Sequence, residues 1–429
     1  MKIMVSNVGS SSFKYQVIDI ESETTLAKGN VERVGKPQSL FTHSVPNKID
    51  MKKEIDVPDH NTAIKLSLDA LLHSEYGILK ELSDLSGVGF KAVFAKGMTS
   101  SALINDDVIK ALDDYIPLAP FHNPAYIASI RAFQEILPDK PLVAVFETWF
   151  HETIPDYAYI LSVPYEWYEK YGVRRYGFHG ASHRYISQRT SQFLGLPSDK
   201  LKVISCHLGG SSSICAIKNG ESIDTSMCFS AQSGVMQSTR CGDIDPFLIP
   251  FIMDKDGLNT DQVRSILATK SGMLGISGVG SDMRDLFDAS DNGNERARLT
   301  IQAYHYSVKK YIGSYAVAMG GLDVLVFTGG IGERSVRSRT EICEGLEFLG
   351  IKIDDDKNKS VKGETNISAH VPPCNGRTAH VPPCNGRTAH VPPCNGRTVP
   401  DSKVQVLVIP TNEEIIVARE TARLIKSDR

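Results

Sequence analysis

Residues 1–20 read MKIMVSNVGSSSFKYQVIDI, two apolar runs of period-2 alternation joined by Gly9-Ser10-Ser11-Ser12. Alternation of that period lets a strand present one face to a core and one to its neighbours, and a Gly/Ser turn between two such runs signals a hairpin. After a break at Glu21-Ser22-Glu23 a third run, TLAKGNVERV at 25–34, extends the pattern, so three adjacent antiparallel strands are predicted. The theme returns at KVISCHLGG (202–210), SSICAIKNG (212–220) and ESIDTSM (221–227), again with a Gly/Ser turn. Two copies of one meander predict a duplicated architecture.

Between the copies, apolar residues recur at helical spacing over 61–82 and a short buried strand is predicted at 91–95. Helical spacing resumes in PAYIASIRAFQEIL after a turn at His122-Asn123-Pro124, and the strand PLVAVFE follows. Beyond the second copy come a long helix over 294–319, the strand DVLVFTGG, a helix over 336–346, the strand VQVLVIP and a closing helix in TNEEIIVARETARLI. An α/β protein with two similar lobes follows.

The 429 residues suffice for two or three domains. With 47 Lys and Arg against 50 Asp and Glu, the net charge is 47 − 50 = −3, and neither a nucleic-acid nor a membrane partner is expected. No stretch approaches the roughly 18 apolar residues of a membrane helix, and the chain start runs into strand sequence, so a cytoplasmic protein is expected. The eight cysteines include no C-x-x-C pair and read as free thiols.

AHVPPCNGRT occurs three times without a difference, at 369–378, 379–388 and 389–398. Paired prolines and an Asn-Gly exclude helix and central strand, so 369–398 reads as an inserted mobile loop. His370/Cys374, His380/Cys384 and His390/Cys394 leave open a second reading, in which the repeats bind zinc or a partner.

Chemistry is concentrated in glycine turns at strand ends. Asn7 to Lys14 offers close backbone approach at Gly9, hydroxyls at Ser10 and Ser12, and the charge of Lys14, which together suit a phosphate. It is not a Walker A loop, since a strand follows the turn. His207-Leu208-Gly209-Gly210-Ser211 occupies the matching place in the second copy, and Thr328-Gly329-Gly330-Ile331-Gly332-Glu333 ends an apolar strand where open α/β sheets bind nucleotides. Two phosphate grips and a nucleoside platform predict an ATP site.

These segments, with PFHNP at 120–124, VFET at 145–148, YGFHG at 176–180, TRCGDIDP at 239–246, SDMR at 281–284 and PTNEE at 410–414, resemble the acetate kinase family with its propionate and butyrate relatives, in the actin-like superfamily. The resemblance spans nearly the whole chain apart from the repeats. It implies the two-lobed actin-like (RNase H-like) ATPase fold with duplicated sheet-and-helix domains and a central cleft. The first lobe would be 1–147 plus 411–429 and the second 148–410. The implied reaction moves the γ-phosphate of ATP to a short carboxylate, reversibly, with Mg2+ (or Mn2+), in a homodimer.

Carried over by position, the resemblance makes Glu147, His179, Arg240 and Lys91 catalytic. It makes Lys91, Val93, Phe121, His122, Phe178 and Ala231 the carboxylate pocket. Ser10, Ser12, Lys14, His207 to Ser211, Asp282, Met283, Arg284 and Gly330, Ile331, Gly332, Glu333 and Arg334 would hold ATP, and Asn7 and Glu413 the metal. The chain departs from the family pattern where Lys91 replaces an arginine, Glu147 an aspartate, Gly210 and Arg334 asparagines, Phe121 a leucine and Ala231 a proline. Lysine keeps the charge but loses the planar bidentate fork. An active kinase retuned for its acid and a weakened paralogue that senses nucleotide or acyl phosphate are the two readings of those changes.

Overall fold

The structure, a computed structural model, describes residues 1–9, 11–48, 50–119, 122–369 and 404–428. Ser10, Phe121 and all but the first residue of the repeats lie outside the described residues.

The first sheet has eight strands: β1 (Lys2–Gly9), β2 (Ser12–Asp19), β3 (Thr24–Glu32), β4 (Ser39–Ser44), β5 (Met51–Ile55), β6 (Leu85–Ala92), β7 (Ala102–Leu103) and β8 (Leu142–Phe146). β1 to β5 form an antiparallel meander, and β6 and then β8 join β1 in parallel. The second sheet repeats this plan. β9 (Lys202–His207), β10 (Ser213–Lys218) and β11 (Glu221–Thr225) make the meander, while β12 (Val324–Thr328) and β14 (Gln405–Val408) continue in parallel, edged by β13 (Thr365–Asn366). The parallel strands of each sheet therefore end on one edge, where α/β proteins place their ligands.

Parity along β1 decides what covers the first sheet. Met4 and Val8 face a core shared with the helices His60–Leu72 and Asn123–Ile136. Ile3 and Val5 face the other way, onto Ile415, Ala418, Ala422 and Ile425 of the closing helix Glu413–Ser427. Gly87 and Gly89 let that helix sit close, because a Cβ at either would overlap Ile425 or Thr421. Buried isoleucines of this kind stabilise the docking by about 2 kcal/mol each.

Several expectations shift. The helix predicted over 61–82 ends at Leu72, because the amides of Ile78 and Leu79 turn back to the Leu71 carbonyl and Gly77 packs against that turn. The strand predicted at 91–95 is β6, which begins at Leu85 and ends at Ala92. Gly329 to Arg334 is a short helix rather than an open turn, its Ile331 and Gly332 amides bonded to the Leu208 carbonyl. β4 and β5 have no counterpart in the sequence reading, being short and mostly polar outside β4's core face. Among the described residues no helix is long and apolar enough to cross a membrane.

Candidate active site

Asn7, Lys91 and Glu147 lie at the ends of the three adjacent parallel strands β1, β6 and β8, on the face covered by the closing helix. The first turn of that helix, capped by Asn412, brings Glu413 over them. The Lys91 ammonium bonds to the Glu413 carboxylate and lies 3.5 Å from Glu147 Oε1. Burial alone would lower Lys91, but Glu147 and Glu413 outweigh it and hold the ammonium well above its ordinary value. Burial pushes the Glu147 carboxyl up against the attraction of Lys91, and neither of its oxygens has a hydrogen-bond partner among the described residues. Lys91 is thus bound to the two protein carboxylates, an arrangement the sequence could not show.

The second lobe meets this cluster through the loop at 176–180. Gly180 N–H donates to the Glu147 carbonyl (2.8 Å), and a Cβ there would overlap that oxygen. Gly177, with φ +78°, avoids the His151 ring. Between them His179 adopts φ +58°, a left-handed conformation that costs a non-glycine residue on the order of 1 kcal/mol or more and is typical of functional sites. It stands at the start of the helix Gly180–Leu194 without capping it, its ring stacked on His207 at 4.2 Å. Burial, with the neighbouring His207, His183, Lys91 and Arg240, keeps His179 well below the usual imidazole range.

Arg240 points its guanidinium at neutral acceptors only: Ser211 Oγ, the Ala231 carbonyl and Gln237 Oε1, each at 3.2 Å. Among the described residues no carboxylate pairs with it. A largely desolvated cation without a counter-ion is an anion site. Buried Gln237, which nothing in the sequence singled out, holds both Arg240 and Ser211 in place.

A cavity of about 390 Å³ opens beside these groups, lined by Gly209, Gly210, Asp282, Met283, Arg284, Gly330, Ile331 and Arg334. Three of the expected ATP segments therefore meet. Asp282 caps the helix Met283–Asp291 and grips Arg284 at 2.7 Å, which holds its carboxyl low, at about 2. Leu208 and Gly332 are buried beneath the cavity rather than facing it. Glu333 turns away, its Oε1 accepting from the Gly329 and Thr411 amides. Ser12 is half-buried at the first turn, while exposed Lys14 lines a separate cavity with Asn7 and Glu414.

Val93, Phe178 and Ala231 converge on an aromatic cluster with Phe94, Tyr115, Tyr176 and Phe229. Phe94 packs edge-on to Phe178 at 5.3 Å. His122 stands at the start of the helix Asn123–Ile136 and is lowered by burial and by Arg240, so it adjoins the same corner. Phe94 and Phe229 escaped the sequence reading because isolated aromatics carry no motif.

The residues present fit a hard divalent cation. Glu413, Asn7 and the orphaned Glu147 oxygens supply only oxygen donors, and Mg2+ typically takes one or two carboxylates, completing its shell with water and phosphate. Among the described residues no group of three or more His, Cys, Asp or Glu could hold a metal unaided. The Cys/His repeats lie outside the described residues.

Two duplicated sheets whose parallel strand ends share one cleft, with glycine loops, a free guanidinium and paired carboxylates, define a two-lobed phosphotransferase of the actin-like type. The chain belongs to the acetokinase family, whose model matches residues 2–373. It is 49% identical over 430 residues to the acetate kinase of Thermoanaerobacterium thermosaccharolyticum, covering 100% of both chains, and 47% identical over 428 residues to that of Caldanaerobacter subterraneus subsp. tengcongensis, covering 99% of each. Among solved structures it is similar to Porphyromonas gingivalis acetate kinase (TM-score 0.84, 40% identity) and to a Francisella tularensis propionate kinase (TM-score 0.84, 33% identity), each over 99% of both chains. The chain is accordingly a carboxylate kinase that uses ATP and a divalent metal.

Proposed function

We propose that the chain transfers the γ-phosphoryl group of ATP to acetate, giving acetyl phosphate and ADP, and catalyses the reverse. The observation that carries this reading is the Arg240 guanidinium, bonded among the described residues only to neutral acceptors, at the corner where His179, the Val93/Phe178/Ala231 pocket and the glycine cavity meet. The acid is ionised at neutral pH and needs no base, so catalysis rests on positioning and charge. The acyl methyl sits against Val93, Phe178 and Ala231. Lys91, between Glu147 and Glu413, keeps those carboxylates from repelling the incoming one. Arg240 and His179 donate to the oxygens of the transferring phosphoryl group, whose in-line passage concentrates negative charge there. Gly209, Gly210 and Ser211 approach the remaining phosphates, and the adenosine lies in the cavity bounded by Asp282 to Arg284 and by Gly330, Ile331 and Arg334. Glu413 and Asn7, with Glu147 adjoining, hold the metal, Mg2+ being favoured by an all-oxygen donor set. When bound, the ion neutralises the nucleotide phosphates.

The lobes are 1–147 with 411–429 and 148–410, and their closure excludes water from the transfer. Packing of the closing helix on the first sheet supports that division. A homodimer through the second lobe belongs to the same proposal: every large exposed hydrophobic side chain among the described residues, from Tyr157 and Trp167 to Phe247 and Val317, lies in that lobe. A cytoplasmic location, where ATP is plentiful, belongs to the same proposal.

Trapping acyl phosphate as its hydroxamate, with ATP and a panel of acetate, propionate and butyrate, tests the reaction. Acetate should give the highest kcat/KM. Nucleotide binding by calorimetry without hydroxamate from any acid would overturn the kinase reading in favour of a sensor.

A further inference from the structure

We infer that Ser205, His183 and Ser213 form a one-way hydrogen-bond chain that holds His179 with its proton on Nε2, which makes His183 a positioning residue for phosphoryl transfer. The inference rests on the proposed role of His179 as a donor.

His183 lies one helical turn beyond His179, its amide bonded to the His179 carbonyl at 2.9 Å, and is fully buried. Its Nδ1 is 2.9 Å from Ser205 Oγ and its Nε2 is 2.7 Å from Ser213 Oγ. The same Ser213 Oγ is 2.8 Å from His179 Nδ1. Burial keeps both imidazoles below their ordinary values, so each is neutral and carries one N–H.

A serine hydroxyl has one hydrogen, and Ser213 faces two ring nitrogens. If it donates to His179 Nδ1, it must accept from His183 Nε2–H, and His183 Nδ1 must accept from the Ser205 hydroxyl. Every hydrogen in the chain then has an acceptor, and His179 is left with Nε2–H. If the chain runs the other way, His183 Nδ1–H donates to Ser205 and His179 Nδ1–H donates to Ser213. The Ser205 hydroxyl, fully buried on β9, then has no acceptor among the described residues, since its one hydrogen-bond partner there is His183. A buried donor left unmade disfavours that direction. The polarity of the chain is therefore set at Ser205, three hydrogen bonds from His179.

The adjoining ring is held in the same sense. Thr411 Oγ1 donates to Ser182 Oγ (2.9 Å), which lies 2.8 Å from His207 Nδ1, so Ser182 supplies its hydrogen to that nitrogen and His207 likewise keeps Nε2–H. The two rings, stacked at 4.2 Å, present donors rather than lone pairs at Nε2, which suits an anionic phosphoryl group.

The test is long-range 15N NMR of the histidine-labelled enzyme, the His179 signal being assigned by its loss in His179→Gln. The wild-type enzyme should show His179 as a single Nε2–H tautomer. Ser205→Ala, which touches no substrate and leaves His183 Nδ1 unpartnered in either direction, should narrow the preference, introduce a minor fraction of Nδ1–H at His179 and lower kcat by that fraction, with the KM values for ATP and acetate unchanged. Wild-type His179 found as Nδ1–H would overturn the proposal, whatever the variants do. So would a His179 spectrum unchanged in both Ser205→Ala and Ser213→Ala. Full kcat in His179→Gln would instead remove the catalytic reading of His179, an outcome that leaves the tautomer measurement to decide the hydrogen-bond chain separately.

Discussion

Lys91 Nζ lies 3.5 Å from Glu147 Oε1 while bonding to Glu413, so one ammonium joins the ends of β6 and β8 to the first turn of the closing helix, 322 residues further along the chain. The cation proposed for the substrate and the carboxylate proposed for the metal are thereby parts of one buried network. The conservative look of lysine for arginine conceals this, because a compact ammonium can settle between two carboxylates where a planar fork would project past them.

Removing that ammonium leaves two buried carboxylates without a counter-charge. Lys91→Gln should lower unfolding free energy by about 3–5 kcal/mol, and Lys91→Gln with Glu147→Gln should recover much of it. Urea unfolding of the single and double variants measures both; equal stabilities for Lys91→Gln and the wild type would contradict the network.

In the proposed transfer, His179 and Arg240 act on charge that develops only as the phosphoryl group moves. His179→Ala and Arg240→Ala should each lower kcat by about a hundred- to a thousandfold, with smaller changes in the KM for ATP. Arg240→Lys should recover little, since its role depends on the planar fork. Steady-state kinetics in the acetyl phosphate-forming direction are the check.

Docking of the closing helix depends on a missing side chain. Gly89→Ala would drive a methyl into Thr421, and a destabilisation of about 1–3 kcal/mol is expected. Because the two sites touch, Gly89→Ala combined with Thr421→Ala should be less destabilised than the sum of the singles. Thermal unfolding of the four proteins closes the cycle.

Acid should loosen the second lobe before it protonates most carboxylates. His151 is buried between Ser222 Oγ at 2.8 Å and the Phe178 carbonyl at 3.0 Å, and burial lowers it to about 4 from an ordinary 6.5. The unfolded chain therefore binds this proton more tightly. Stability is complete above pH 6.5 and declines as pH falls towards 4, by up to about 3 kcal/mol from this residue. Denaturant melts between pH 7 and 4.5 should show the decline, flatter in His151→Gln; an identical slope in that variant would refute the assignment.

Strand alternation and turn chemistry are local, and they made both meanders, the long helix Glu295–Met319 and the closing helix legible. The helix end at Leu72 was not, because a backbone carbonyl two turns back captures the amides that would have continued it. His207 and Gly330 were readable as candidates from glycine turns at strand ends, and Asp282 from the family resemblance. Gln237, Phe94 and Ser213 were not, since a lone amide, aromatic or serine has no spacing to betray it and gains its role from neighbours distant in the chain.

The order of residues by itself determined which atoms the protein could bring to bear: period-2 runs that must become strands, glycines that permit close backbone approach, and the stock of histidine, arginine and carboxylate side chains. Only the tertiary structure decided that Lys91 serves two carboxylates, that Arg240 has none among the described residues, and that a buried serine orients a histidine three hydrogen bonds away. Pairing and burial depend on distances between residues hundreds of positions apart, and those distances exist only once two sheets and a returning helix have packed.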